Sequence, residues 1–197
     1  FTLTSDGTQL SITYPNVSGR ITINVSATDN GNFTGNTTGR EINAVNISVV
    51  NSTGVNASFL ATNVTGFSGR GTFWNLTINT STFPDGIYNI TIRANDTLNN
   101  ANETNISNIG IDNSAPTASA ACSPTTVTTG ATFHCTCSGS DSISGVKTNT
   151  DSTTSPDGTA SPSSTGSFTY TCDITNYAGL KTSATTTYSV EQGSGSG

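Results

Sequence analysis

The sequence predicts an all-β chain built as two tandem β-sandwich domains. Three observations carry this. Apolar residues recur at every second position in short, β-branched runs such as "ITINVSA" and "VNISVV", and no long 3.6-residue apolar pattern interrupts them. Gly, Asn, Asp and Pro punctuate the runs. Composition changes at "IDNSAPTA", since every Asn-x-Ser/Thr triplet lies before it and all four Cys lie after it. Pro116 restricts Ala115 to extended conformations, which suits a short linker. The boundary therefore falls between residues 1–113 and 114–197.

In the first domain, strands are expected near residues 9–14, 20–28, 42–50, 57–64, 72–80, 87–95 and 104–111. Seven short strands at this spacing make a sandwich. Successive side chains of a strand point to opposite faces. Ile21, Ile23, Val25 and Ala27 thus share one face and Asn24 takes the other. Val45, Ile47 and Val49 oppose Asn46. Trp74, Leu76 and Ile78 oppose Asn75 and Asn79, and Tyr88, Ile90, Ile92 and Ala94 oppose Asn89 and Asn95. The phase is ambiguous only near "NETNISNIGID". An Asp-Gly turn before Tyr88 predicts that this ring anchors the core while its hydroxyl caps nearby backbone.

The second domain offers "ATFHCTCSGSDS", "GSFTYTCDITNYAG" and "LKTSATTTYSVEQ". Laying the second of these on "GIYNITIRANDTLN" matches Gly166 to Gly86, Phe168 to Tyr88, Cys172 to Ile92 and Asn176 to Asp96. The halves read as diverged copies of one module. The expected second core is Phe133, Phe168, Tyr170, Ile174, Tyr188 and Val190. So thin a core gains much from cross-links.

Four Cys in a charge-poor chain read as two disulfides and an oxidising compartment. Three pairings are open. Cys135 and Cys137 share one strand face and cannot easily bond each other. A turn near 128–130 would fold 122–127 back onto 132–138 and set Cys122 opposite Cys137. The expected bonds are Cys122–Cys137 and, across the sheets, Cys135–Cys172. Cys-x-Cys with one His lacks zinc-ligand spacing.

The triplets are the densest signal. Their asparagines are Asn16, Asn24, Asn32, Asn36, Asn46, Asn51, Asn56, Asn63, Asn75, Asn79, Asn89, Asn95, Asn102 and Asn105. Shuffling the 20 Asn and 29 Ser or Thr of residues 1–113 would give about five (20 × 29/113). An Asn- and Thr-rich strand composition makes some triplets by accident. It does not explain why the strand asparagines fall opposite the apolar face, where a bulky glycan leaves the core intact. Neighbours such as Asn32 with Asn36, or Asn102 with Asn105, are expected to compete for sugar.

Charge is sparse: 6 basic and 12 acidic residues, 9% of the chain. A Lys-poor acidic surface argues against nucleic acid. No run approaches the roughly 18 apolar residues of a membrane span. The chain opens at Phe1 without an initiator Met, which reads as a mature N-terminus or the edge of a fragment. An enzyme is not expected, because the acids are scattered and the single His134 sits on an outward strand position. No cofactor is expected. Asp29, Asp96, Asp112 and Asn113 form the nearest thing to a calcium set, and turn formation explains them more simply.

The runs "DGIYNITIRANDTLNNANETNISNIGIDNSAPTA" and "TCDITNYAGLKTS" resemble tandem immunoglobulin-like modules of prokaryotic surface proteins, archaeal cell-surface glycoproteins above all, in which "IDNxAP"-type linkers join modules. The resemblance spans nearly the whole chain. It implies immunoglobulin-like folds and a cell-surface or appendage role, and it carries over no ligand site. The Phe at position 168 and the small second domain depart from it. The functional expectation is a structural subunit of a heavily N-glycosylated extracellular filament or surface layer, with other copies of itself as partners. Alternative: an adhesin or binding module. Donation of residues 1–8 to a neighbour's sheet is one assembly route; pairing of that segment within its own module is the competing arrangement.

Overall fold

The computed structural model describes residues 2–5, 8–9, 16–27, 42–64, 72–96, 99–151, 159–160 and 162–193. The chain divides into two compact units, Phe1–Asn113 and Ser114–Gly197. Each has its own apolar core, and both are immunoglobulin-like β-sandwiches. Among the described residues the one helical element is a 3₁₀ turn at Thr80–Thr82.

The first unit contains β1 (Thr2–Ser5), β2 (Thr8–Gln9), β3 (Asn16–Val17), β4 (Arg20–Ala27), β5 (Ile42–Asn51), β6 (Gly54–Leu60), β7 (Thr62–Asn63), β8 (Thr72–Asn79), β9 (Gly86–Asp96) and β10 (Ala101–Ile111). They form two five-stranded sheets, ordered β2-β1-β4-β8-β7 and β3-β10-β9-β5-β6. Ile21, Ile23, Val45, Ile47, Val49, Ile90 and Ile109 fill the space between them and are essentially inaccessible. Most of the expected strand 9–14 lies outside the described residues. The stretch 57–64 is two strands. β6 pairs with β5, whereas β7 crosses to β8, with Ala61 buried at the crossing and its N–H donating to the Val45 carbonyl.

The ambiguous segment resolves through a bulge between Ile106 and Ile109. Before it, Asn102 and Ile106 stand opposite Ala94 and Ile90; after it, Ile109 stands opposite Tyr88. The one extra residue turns the alternation over, so that Ile106 before it and Ile109 and Ile111 after it all face the core. Asn108 takes a φ of 62° there, and its N–H donates to Asn89 Oδ1 at 3.2 Å. The Tyr88 hydroxyl donates to the Pro84 carbonyl at 2.8 Å, and its ring meets Phe83 edge-on at 6.0 Å.

The second unit contains β11 (Ser119–Ser123), β12 (Thr126–Thr128), β13 (Phe133–Ser138), β14 (Val146–Asp151), β15 (Thr159–Ala160), β16 (Gly166–Asn176) and β17 (Lys181–Glu191). Its sheets run β11-β13-β15 and β12-β17-β16-β14. From the turn as far as Ile90 with Ile106 and Tyr170 with Thr186, short of the β10 bulge, the β16–β17 hairpin repeats β9–β10 position by position. Asp96 Oδ1 accepts from the Asn100 N–H, and Asn176 Oδ1 from the Leu180 N–H, both at 2.8 Å. Asn99 and Gly179, three residues into each turn, both have positive φ. The last strand also pairs in parallel with a short early strand in each unit, β3 with β10 and β12 with β17.

The cystine expectation is overturned. The bonds are Cys122–Cys135 and Cys137–Cys172, with Cα separations of 4.0 and 5.2 Å. Register is the cause. β11 pairs with β13 so that Cys122 faces Cys135 and Ala120 faces Cys137. The expected turn is present, with the Ala131 N–H donating to the Thr128 carbonyl at 3.0 Å, but β12 pairs with β17 in the other sheet, so this turn does not set the pairing with β13. A two-residue shift keeps both β13 cysteines on the core face and exchanges their partners. Phe168 and Tyr188 stack at 5.5 Å but stay half-buried; the half-cystines supply much of the core instead.

Candidate functional site

The asparagine triplets are the candidate site. Eleven of their asparagines have described side chains: Asn16, Asn24, Asn46, Asn51, Asn63, Asn75, Asn79, Asn89, Asn95, Asn102 and Asn105. All are exposed or half-exposed. Asn56 lies on β6 with its side chain outside the described set, and Asn32 and Asn36 lie outside the described residues altogether. In a strand the period of two puts an asparagine and the hydroxyl two residues later on the same face. Asn24 with Ser26, Asn46 with Ser48, Asn75 with Thr77 and Asn89 with Thr91 follow this rule on β4, β5, β8 and β9. Thr22 and Thr77 hydroxyls meet across β4 and β8 at 3.0 Å, and Ser48 and Ser58 meet across β5 and β6 at the same distance. These outer faces are therefore polar and uncharged over much of their area.

Hydrogen-bond direction differs between three of the triplet asparagines and four asparagines outside triplets. Asn79 Oδ1 accepts from the N–H and hydroxyl of Ser81, Asn89 Oδ1 from the Asn108 N–H, and Asn102 Oδ1 from the Glu103 N–H. These bonds leave Nδ2, the atom an N-linked sugar would occupy, out of the fold's own network. Asn95 departs from the pattern with a 3.3 Å bond from Nδ2 to the Asp96 carbonyl. Asn100, Asn113, Asn149 and Asn176 lie outside triplets, and each donates through Nδ2. Asn113 Nδ2 ties the Thr80 and Phe83 carbonyls, and Asn176 Nδ2 reaches the Asp141 carboxylate at 3.0 Å.

Sequence reasoning missed one juxtaposition. Asn24 and Asn75, fifty-one positions apart, are direct partners across β4 and β8. Their Cβ atoms are then about 5 Å apart, closer than any spacing along the chain could show. No sequence signal marks this pair, because it depends on which strands become neighbours.

The acidic groups do not converge. Asp29 lies outside the described residues. Asp96 ends β9, whereas Asp112 follows Ile111, the partner of Gly86 at the other end of that strand. Ten strand steps put them roughly 30 Å apart, so no cation could join them. Asp96 is already engaged by the Asn100 N–H and Nδ2. His134 is exposed and faces Ser123 and Thr159. Among the described residues no group of three or more His, Cys, Asp or Glu could hold a metal. A groove at one end of the first sandwich has Asp96 and Glu103 as its ionisable lining, over an apolar floor including Ile42, Ile92 and Ala94.

Asp141 organises the second unit. Its Oδ1 accepts from the N–H groups of Ile143, Ser144 and Gly145, and its Oδ2 from Asn176. Burial pushes the carboxyl up, but the bonds from Asn176, Ser144, Gly145 and Ile143 outweigh it and hold the group below its ordinary value of 3.8. The ionised form is the one the fold holds. Its contribution is therefore complete above the ordinary value and is lost as the pH falls through the lower folded value. Asp141→Asn would set an amide N–H against Asn176 Nδ2. The variant should melt lower at pH 7, with the gap narrowing as the pH drops below 3.8; melting curves across pH check this. Asp173, bonded to Lys181 at 2.7 Å and to Ser183, is likewise held low at the surface.

The chain matches no protein-family model and none of the curated proteins compared with it. Solved structures with a similar trace include Clostridium thermocellum CbhA fibronectin(III)-like modules, at 14% identity and TM-score 0.42, covering 96% of this chain and 94% of that one. Another is the amphioxus IgVJ-C2 molecule, at 12% identity and TM-score 0.35, covering 88% of this chain and 99% of that one.

Proposed function

We propose that this chain is a non-catalytic extracellular module whose first sandwich carries a dense N-glycan coat. Its work is structural, as a subunit of a filament or surface layer built from copies of itself. One observation carries the reading: every triplet asparagine with a described side chain reaches solvent, and on β4, β5, β8 and β9 the alternating residues of the same strands form the core. The outer faces of both sheets take part, Asn24 and Asn75 on one and Asn46 and Asn89 on the other. Sugars would supply the hydration that a chain with 9% charged residues lacks. The two disulfides support an oxidising, extracellular setting. The resemblance to archaeal surface glycoproteins points the same way.

Intact mass and imaging of the native protein test both halves. A mass well above 20.1 kDa, with sugar mapped to Asn24, Asn46, Asn75, Asn79, Asn89 and Asn95, is expected, together with ordered fibres or sheets in negative stain. A bare mass sinks the coat, and a dispersed monomer sinks the assembly. The first segment bears on the route. β1 pairs with β4 inside its own sandwich, from Thr2 opposite Asn24 to Ser5 opposite Ile21. Strand donation therefore requires exchange of β1 between copies in the same register. Deleting residues 1–8 should then stop polymerisation, and normal polymers from that deletion would leave assembly to other contacts.

A further inference from the structure

Five large apolar side chains stand exposed among the described residues: Leu60, Val64, Phe73, Ile87 and Tyr177. Single exposed apolar residues are ordinary. Their placement in the first unit is not. Phe73, 55% exposed, lies on β8 two residues before Asn75, hence on the same outer face. Val64 stands beside it, its N–H donating to the Phe73 carbonyl. Ser26 faces Phe73 from β4, and Asn24, on the same face, is diagonal to it. Leu60 is directly opposite Asn46. Ile87 precedes Asn89 by two residues on β9. On its other flank Gly110 is covered by the Asn16 side chain so closely that a Cβ there would strike Asn16 Oδ1.

We propose that Phe73 is the seat for the first sugar of a glycan on Asn75, with Leu60 and Ile87 offering glycans on Asn46 and Asn89 an aliphatic contact only. The proposal rests on the acceptor reading above and adds what the sugars touch. A pyranose ring presents a face of C–H bonds, weakly positive and apolar, and an aromatic ring presents a negative π face. Same-face neighbours on a strand are about 7 Å apart, within reach of the first ring on an asparagine amide. The sugar is tethered, so docking costs no association entropy and weak contacts suffice. The coat then completes an apolar surface instead of merely shading a polar one.

The test uses the full glycosylated chain, with occupancy at Asn24 and Asn75 mapped first. Phe73→Ser is made in that protein and in an Asn24→Gln/Asn75→Gln background. In the glycosylated protein it should lower the melting midpoint of the first unit by about 4 °C or more, and in the double-Gln background by no more than about 1 °C. It should also abolish an upfield ring-current shift of the first sugar's protons at Asn75. Equal effects in both backgrounds, or none in either, overturn the seat. Self-association in the double-Gln background that Phe73→Ser removes would assign the patch to a second copy and overturn it as well. Bare Asn24 and Asn75 in the initial map would overturn the acceptor reading itself, a failure distinct from a failed coupling on occupied sites.

Discussion

Reducing both disulfides is expected to unfold residues 114–197 while residues 1–113 remain folded. Among the described residues, four of the nine buried ones that form the second core are half-cystines. Each bond contributes about 2–4 kcal/mol by restricting the unfolded chain, against a total of only about 5–15 kcal/mol for a typical domain. Reduction also leaves four thiols packed where the cystines were, so little else holds the sheets together. The first unit has no cysteine and an apolar core of its own, aliphatic side chains with Trp74, Phe83 and Tyr88. Trp74, the single Trp of the chain, is buried in that unit, so its fluorescence follows the first unit alone. With reductant, the Trp74 transition should stay in place while the far-ultraviolet signal of the second unit is lost. A Trp74 transition that moves with it would refute independent folding. Removing the Cys137–Cys172 pair should cost more than removing Cys122–Cys135, because it closes 35 residues where the other closes 13. Peptide mapping that recovers Cys122 joined to Cys137 would refute the register described above.

The second large effect sets two adjacent residues against each other. In protein made without sugar, Ile47→Ala should cost about 2–5 kcal/mol, because the side chain is inaccessible and its removal leaves a cavity between the sheets. Asn46→Gln, one position earlier, should change stability by less than about 0.5 kcal/mol, since it alters only an exposed side chain. Denaturant unfolding of both variants measures the contrast. Comparable destabilisation by the two would mean that β5 does not alternate between core and solvent, and the acceptor reading would lose its footing with it.

Strand positions and faces in the first unit were legible because the information is local. Val45, Ile47 and Val49 announce their side of β5 whatever strand lies next to them, and Asn46 is outward by the same rule. The Gly166-on-Gly86 alignment was legible for a related reason: the eleven-residue strand and its turn are short-range features that both units show. Less was legible where a strand is too short to show a period. β3 and β7 have two residues each, and the division of 57–64 between two sheets follows from Ala61 crossing the core. The bulge in β10 hid the phase of "NETNISNIGID", because one shift in register turns the remaining alternation over. Asn102 shows the consequence: it takes a core-facing phase opposite Ala94 yet is exposed.

By itself the sequence determined the all-β class, the alternation that turns Asn24, Asn46, Asn75 and Asn89 outward, the anchoring role of Tyr88, and the presence of two cystines. Each depends on a residue and its neighbours within one strand or turn. Only the tertiary structure decided which cysteines bond, that Asn24 and Asn75 stand side by side, that β1 pairs with β4, and that Phe73 and Leu60 lie beside triplet asparagines. All of these are properties of pairing between strands distant in sequence. Cross-strand register is set by the length and path of the intervening chain together with the packing of two sheets, and a displacement of two residues preserves every face while changing every partner.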